Sequence, residues 1–131
     1  MYYNTLMIRY KYNLIVDIQK QVEALRIRRW LRENNVTYIP PNPWETLKLI
    51  CNRPKIDYQC EDDIDCYWIS GGNGGSYYLP NRITVCPREK SHTVEEIIKH
   101  EITHLKHESE VQGMTHQEKE AYIIGHEKSA K

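Results

Sequence analysis

A short segment near the C-terminus, His100-Glu101-Ile102-Thr103-His104, constrains the fold of this 131-residue chain more than any other feature. Just before it, Thr93 and Glu96 form an S/T-x-x-E capping box, which predicts that a helix begins there. On that helix the two histidines lie four residues apart, one turn along the same face. The sequence therefore predicts a helix that carries two imidazoles one turn apart on the same face.

The apolar residues of this helix predict which face is buried. At about 100° per residue, one stripe is formed by Val94, Ile98, Ile102 and Leu105, with Ile97 at its edge. His100 and His104 fall together on a neighbouring face, and Glu101 lies beside the apolar stripe. Partial burial there would raise the pKa of the Glu101 carboxyl group.

Two imidazoles at this spacing can bind one metal ion. Zinc suits them best, because imidazole nitrogens and carboxylate oxygens fit its tetrahedral site, and zinc lowers the pKa of a bound water to about 7 in catalytic sites. Glu101 could then take a proton from that water as a general base. The motif predicts zinc ligands at His100 and His104 and a catalytic base at Glu101. The alternative is a charged helix that is rich in histidine by chance.

The third metal ligand is left open by the residues alone. His107 shares the face of His100 and His104, but it lies about 10 Å along the axis from His100 at 1.5 Å per residue, so one ion cannot bind all three. The later candidates are Glu110, His116, Glu118 and Glu120. Thr115 and Glu118 form a second capping box, which predicts another helix and gives Glu118 a purely structural role as the alternative.

The rest of the chain predicts an α+β fold in a single domain, residues 1–131. Residues 14–33 predict an amphipathic helix whose inward stripe is Leu14, Ile18, Val22 and Leu25. The other elements are a strand over 36–39, a helix over 44–51 with Pro43 at its start, and strands over 56–60, 66–70 and 82–86. The glycine-rich segment 71–76 fits no phosphate-binding pattern and predicts a hairpin or a mobile flap, and Gly113 ends or breaks the HExxH helix.

Charge and hydropathy exclude some classes of protein. The N-terminal segment is interrupted by Arg9, Lys11 and Asp17, and the chain has no long apolar run, so we expect no signal peptide, no membrane association and an intracellular location. The net charge is zero, so the chain as a whole is not a polyanion binder. A basic helix over Arg26–Arg32, which includes Trp30, is a candidate for nucleic-acid contact, and a solvated basic face is the alternative.

The four cysteines form no CxxC pair, so a zinc ribbon is not expected. Cys60 and Cys66 flank a short acidic loop that a disulfide could close, and buried free thiols are the alternative. The chain is rich in Ile, Tyr, Glu and Lys and contains no Phe. This bias is typical of hyperthermophiles, in which intracellular disulfides do occur.

The last fifty residues resemble the ImmA/IrrE-like metallopeptidases, which are gluzincins. The resemblance rests on "NRITVCPREKSHTVEEIIKHEITHLKH" and "HQEKEAYIIGHE". These segments read as a strand, a short loop, an HExxH helix with a further histidine, and an E-x-x-A element that begins at Glu118. Stand-alone minigluzincins are similar in size. The resemblance implies a small zincin-like domain, in which a short mixed β-sheet or ribbon supports the HExxH helix and a following C-terminal helix.

The resemblance also implies a function, the zinc-dependent hydrolysis of peptide bonds. It makes His100, His104 and Glu118 the zinc ligands and Glu101 the base, although His116 could be the third ligand, as in SprT-like proteases. The strand Arg82–Cys86 would pair with an extended peptide or protein substrate. The resemblance does not identify the residue that would donate a hydrogen bond to the oxyanion. The candidates are Tyr77, Tyr78, His107, Tyr122 and His126. The rival functions are a nucleic-acid-binding module and a catalytically silent zincin-like domain that binds proteins.

Overall fold

The computed structural model describes residues 8–54, 56, 58 and 63–129. Within them the chain forms the predicted α+β fold, with five α-helices and a four-stranded mixed sheet. The helices are α1 Leu14–Arg26, α2 Arg28–Glu33, α3 Pro43–Cys51, α4 Val94–His107 and α5 His116–Ser129. The strands are β1 Ile8–Tyr12, β2 Ile64–Trp68, β3 Gly75–Tyr78 and β4 Arg82–Val85. Among the described residues, no helix is long and apolar enough to cross a membrane.

The order of strands in the sheet is β1-β2-β4-β3. Strands β1, β2 and β4 are parallel, and β3 runs antiparallel to β4. Strand β4 therefore uses both of its edges, one for β2 and one for β3. The predicted pairing of a peptide along Arg82–Cys86 does not fit this sheet, because a strand in that position has no free edge.

Helix α4 packs its predicted apolar stripe on one face of the sheet. Ile97, Ile98 and Ile102 are buried, and Val94 and Leu105 lie partly buried against the same core. The sheet contributes Cys66, Trp68, Ile83 and Val85 to this core. The prediction for this helix is confirmed, since its two faces follow from the 3.6-residue period.

The N-terminal helix differs from its prediction in two ways. It is broken at Ile27 into α1 and α2, and its apolar stripe faces outward. Leu14, Ile18, Val22 and Leu25 are all exposed. The buried face instead carries Asp17, whose carboxylate accepts hydrogen bonds from the backbone N–H and the hydroxyl of Ser70, at 2.9 and 2.8 Å. The buried carboxylate is thus hydrogen-bonded, as burial requires, and it lies on the inward side of α1 with Lys20 and Ala24.

The glycine-rich segment is largely buried, and it leads into β3, which pairs antiparallel with β4. Residues 71–74 are all buried, and β3 begins at Gly75. A Cβ at Gly71 would lie 3.0 Å from the carbonyl oxygen of Ile39, so the lack of a side chain permits this close approach. The strand predicted over 36–39 is reduced to one bridge between Ile39 and Gly72. The strand predicted over 56–60 lies largely outside the described residues.

The cysteines are thiols where the structure describes them. Cys66 and Cys86 are free and buried, and Cys51 is free and exposed. Burial raises the pKa of the Cys66 thiol to about 12, which keeps it protonated and unreactive. Of the two alternatives for Cys66, the structure shows the buried free thiol and not a disulfide. Cys60 lies outside the described residues.

Candidate metal centre

Helices α4 and α5 bring two imidazoles and one carboxylate together. His100 Nε2 and His104 Nε2 lie 3.2 Å apart. His100 Nε2 is 3.0 Å from Glu120 Oε1, and His104 Nε2 is 2.6 Å from Glu120 Oε2. The capping box of Thr93 and Glu96 fixes where α4 begins. The two histidines lie on the face of α4 that meets α5.

The geometry of these three side chains fits zinc. Ligands about 2.0–2.1 Å from a tetrahedral zinc ion lie about 3.3 Å from one another, close to the separation of the two imidazole nitrogens. The rings of His100 and His104 are nearly perpendicular, at 84°, and their Nε2 atoms approach each other directly. Two histidines and a glutamate form a known catalytic zinc set, which leaves one position open for water or substrate.

The carboxylate in this group is that of Glu120, whereas the sequence prediction gave Glu118 as the third ligand. Glu118 is exposed and occupied by its capping box, in which its carboxylate accepts from Thr115 N at 2.8 Å. At about 100° per residue, Glu120 lies on the opposite side of α5, towards α4. His116 is also outside the group, because its ring packs edge-on against Trp30, with centroids 4.9 Å apart.

A second carboxylate, Glu127, orients the first histidine and was missed by sequence reasoning. Its Oε1 accepts a hydrogen bond from His100 Nδ1. Carboxylates in this position fix the tautomer of a metal-binding imidazole and leave its Nε2 lone pair for the ion. Glu120, the buried Ile123 and Glu127 share one stripe of α5, and this period is the signal that could have found both carboxylates.

Glu101 lies beside the two histidines and under the edge of the sheet. Only 7% of the residue is exposed. Burial raises the pKa of its carboxyl group to about 7, although the charges of His100 and His104 oppose the shift. A group with such a pKa can both accept and release a proton near neutrality.

The two histidines differ in how they are held. Burial opposes protonation of His100, but its hydrogen bond with Glu120 and the charges of nearby glutamates outweigh burial and raise its pKa to about 9. The surroundings thus favour positive charge, as a cation site requires. His104 stacks on Tyr77 with ring centroids 4.5 Å apart, and its buried Nδ1 has no hydrogen-bond partner among the described residues.

The candidate oxyanion donors differ in whether their protons are already used within the protein. Tyr77 donates its hydroxyl proton to Glu108 at 2.7 Å, and Tyr122 donates to Glu110. Tyr78 instead accepts a hydrogen bond from Lys20 Nζ at 2.6 Å. Because an ammonium group can only donate, this contact does not use the proton of Tyr78. His107 and His126 lie in a separate cluster with Glu110.

A cleft of about 1040 Å³ opens over the site. One wall comes from α1 and α2, including Lys20 and Trp30, and the other from α5, including Glu120. The basic helix thus contributes Trp30 to the cleft. Arg28 and Arg32 line a separate cavity of about 450 Å³.

The close contact between Gly75 and Glu101 gives a first prediction. A Cβ at Gly75 would lie 2.7 Å from both Glu101 Oε2 and Ile97 Cγ2. We expect Gly75→Ala to lower the free energy of unfolding by about 1–3 kcal/mol through overpacking, as measured by urea unfolding. Gly125→Ala is the matched control, since Gly125 has open space around its Cα and alanine is favoured in a helix by about 1 kcal/mol. Equal stability of the two variants would contradict the described contact.

Comparison of the chain with protein-family models, with curated proteins and with solved structures gives no match.

Proposed function

We propose that this protein is a zinc-dependent peptidase, with His100, His104 and Glu120 as the zinc ligands. The observation that carries the proposal is the convergence of two Nε2 atoms and one carboxylate within 3.2 Å of one another. Glu101, the glutamate of the HExxH motif, is buried beside the two histidines and supports a catalytic rather than a purely structural ion. The resemblance to ImmA/IrrE-like and minigluzincin peptidases remains part of the proposal, with Glu120 in place of Glu118.

In this proposal each residue of the site has a separate task. Zinc, when bound, polarises the carbonyl group of the scissile peptide bond and makes water a better nucleophile at neutral pH. Glu101 takes a proton from the attacking water and passes it to the leaving amide nitrogen. Glu127 holds the His100 ring. Tyr78 is the donor that we favour for the negative charge on the carbonyl oxygen, because Lys20 occupies its oxygen and leaves its proton for substrate.

The substrate would be an extended peptide or protein segment that pairs with β3. Among the described strands, β3 has a neighbour on one side only, and residues 75–78 line the cleft. Pairing through the backbone would give affinity with little dependence on side chains. An intracellular location is part of the proposal, since the buried Cys66 and Cys86 are free thiols, as is usual in reducing compartments.

The rival functions receive less support from the described contacts. In the basic helix, Trp30 packs edge-on against His116, and Arg29 forms only a surface pair with Glu33 at 3.3 Å. Salt-dependent nucleic-acid binding that is lost on charge reversal at Arg28 and Arg32 would favour that rival. Zinc without cleavage of any peptide would favour a catalytically silent domain.

Zinc removal and restoration test the proposal directly. We expect the purified protein to bind zinc and to cleave members of a broad peptide library, and a chelator to abolish cleavage until zinc is returned. Zinc at about 100 times its dissociation constant should stabilise the fold by about 2.7 kcal/mol if only the native state binds it. Thermal unfolding with and without zinc measures this shift.

Magnesium is the control ion, because it prefers octahedral oxygen ligands and should neither stabilise the protein nor restore cleavage. A chain that binds no zinc, or one whose cleavage survives chelation, would contradict the proposal.

A further inference from the structure

A second group of metal-binding side chains lies at the C-terminal end of α4. It consists of His107, Glu110 and His126, each of which offers one ligand atom within 4.8 Å of the others. His107 Nδ1 is 2.8 Å from Glu110 Oε2. The rings of His107 and His126 stack with centroids 4.2 Å apart. None of the three belongs to the candidate metal centre described above.

We propose that His107, Glu110 and His126 form a second zinc site, of lower affinity than the first. Its donors are again two imidazoles and a carboxylate, the ligand types that zinc accepts. They come from the last residue of α4, from the 3₁₀ turn Glu108–Glu110 and from α5. An ion here would join three successive segments of the chain, whereas an ion in the first centre joins α4 to α5 alone.

The carboxylate of this second site is already oriented. Tyr122 donates its hydroxyl proton to Glu110 Oε1, while the other oxygen, Oε2, faces His107. A hydrogen bond to the far oxygen of a ligating carboxylate is the usual support for such a ligand. Glu110 can thus keep its contact with Tyr122 and offer Oε2 to an ion.

The two histidine rings explain why the second site binds more weakly. An ion shared by two imidazoles lies in the planes of both rings, so those planes must intersect at the ion. The rings of His100 and His104 meet at 84°, but those of His107 and His126 are tilted by only 27°. One of the latter must turn about its Cβ–Cγ bond before both can bind. Both residues are only half-buried, which permits this rotation, and the reorganisation reduces affinity.

Zinc stoichiometry tests the proposal. The apoprotein is dialysed against increasing free zinc, and bound metal is measured by mass spectrometry. Wild type should bind about two ions, and His107→Ala and His126→Ala should each lose the weaker step and keep the tighter one. His92→Ala is the matched control, because His92 is exposed and lies outside both groups, and it should keep both steps. Circular dichroism checks that every variant is folded.

The outcomes separate this inference from the proposed function. His104→Ala should remove the tight step and leave the weak one, whether or not the protein cleaves peptides. A wild type that binds one ion at all zinc concentrations, or a second ion that persists in the His107 and His126 variants, would overturn the second site. If an alanine variant does not fold, Glu110→Gln removes the carboxylate with little change in volume and gives the same test.

Discussion

Glu120→Gln is expected to abolish tight zinc binding, whereas Glu118→Gln is expected to leave it intact. Loss of a residue that only supports a ligand typically lowers metal affinity by about 10–100-fold. Because an amide is a poor zinc ligand, loss of the ligating carboxylate itself should lower zinc affinity by at least about 100-fold. Competition with a chromophoric chelator measures this loss. The two substitutions are chemically identical and lie two residues apart on α5.

Glu118→Gln is a strong control because its structural role tolerates the change. Glutamine is accepted at the same position of a capping box, so the hydrogen bond between Thr115 N and residue 118 can persist. Loss of zinc from Glu118→Gln with retention in Glu120→Gln would restore the assignment that the resemblance implies. Equal loss from both would point to a general disturbance of α5, which circular dichroism would detect.

Glu101→Gln is expected to lower kcat/KM for peptide cleavage by about 10²–10⁴-fold, the usual contribution of a general base. Zinc affinity should change little, since Glu101 is not among the three converging ligands. Glutamine has nearly the same volume, so the tight packing against Gly75 and Ile97 is preserved. Zinc content and cleavage are measured on the same preparation, so that metal loss is not mistaken for loss of the base.

Glu95→Gln is the matched control for this experiment. Glu95 is an exposed acid in the first turn of the same helix, and its substitution should leave cleavage unchanged. A Glu101→Gln variant that retains full cleavage and zinc would exclude Glu101 as the base. If wild type and Glu101→Gln are both folded and bind zinc, but neither cleaves any peptide, the catalytically silent domain is supported.

The parts of the fold that the sequence predicted correctly are those determined locally. Both capping boxes, the start of α3 at Pro43 and the apolar stripe of α4 depend on residues within one or two turns of each other. The neighbouring positions of His100, Glu101 and His104 follow from the same local geometry. No knowledge of the sheet is needed for any of them.

Sequence reasoning reaches its limit where distant segments decide the outcome. The inward side of α1 carries Asp17, whose hydrogen-bond partner Ser70 lies far along the chain. The choice between Glu118 and Glu120 depends on how α5 packs on α4. Strand Arg82–Val85 lies inside the sheet because β3 pairs with its second edge. The sequence did not predict β3, since this strand begins within the glycine-rich segment. Periodicity identifies faces, but it does not identify which face meets a distant partner.

The metal centre and the sheet differ in how far apart along the chain their partners lie. All of the proposed ligands, the base and the outer carboxylate fall within residues 100–127, whereas β1 pairs Ile8 with Ile64 of β2. The entropy of closing a loop rises with its length, and contacts between distant segments slow folding. The two helices that carry the proposed ligands therefore have a much lower contact order than the sheet, and we expect the contacts between α4 and α5 to form faster than the pairing of β1 with β2.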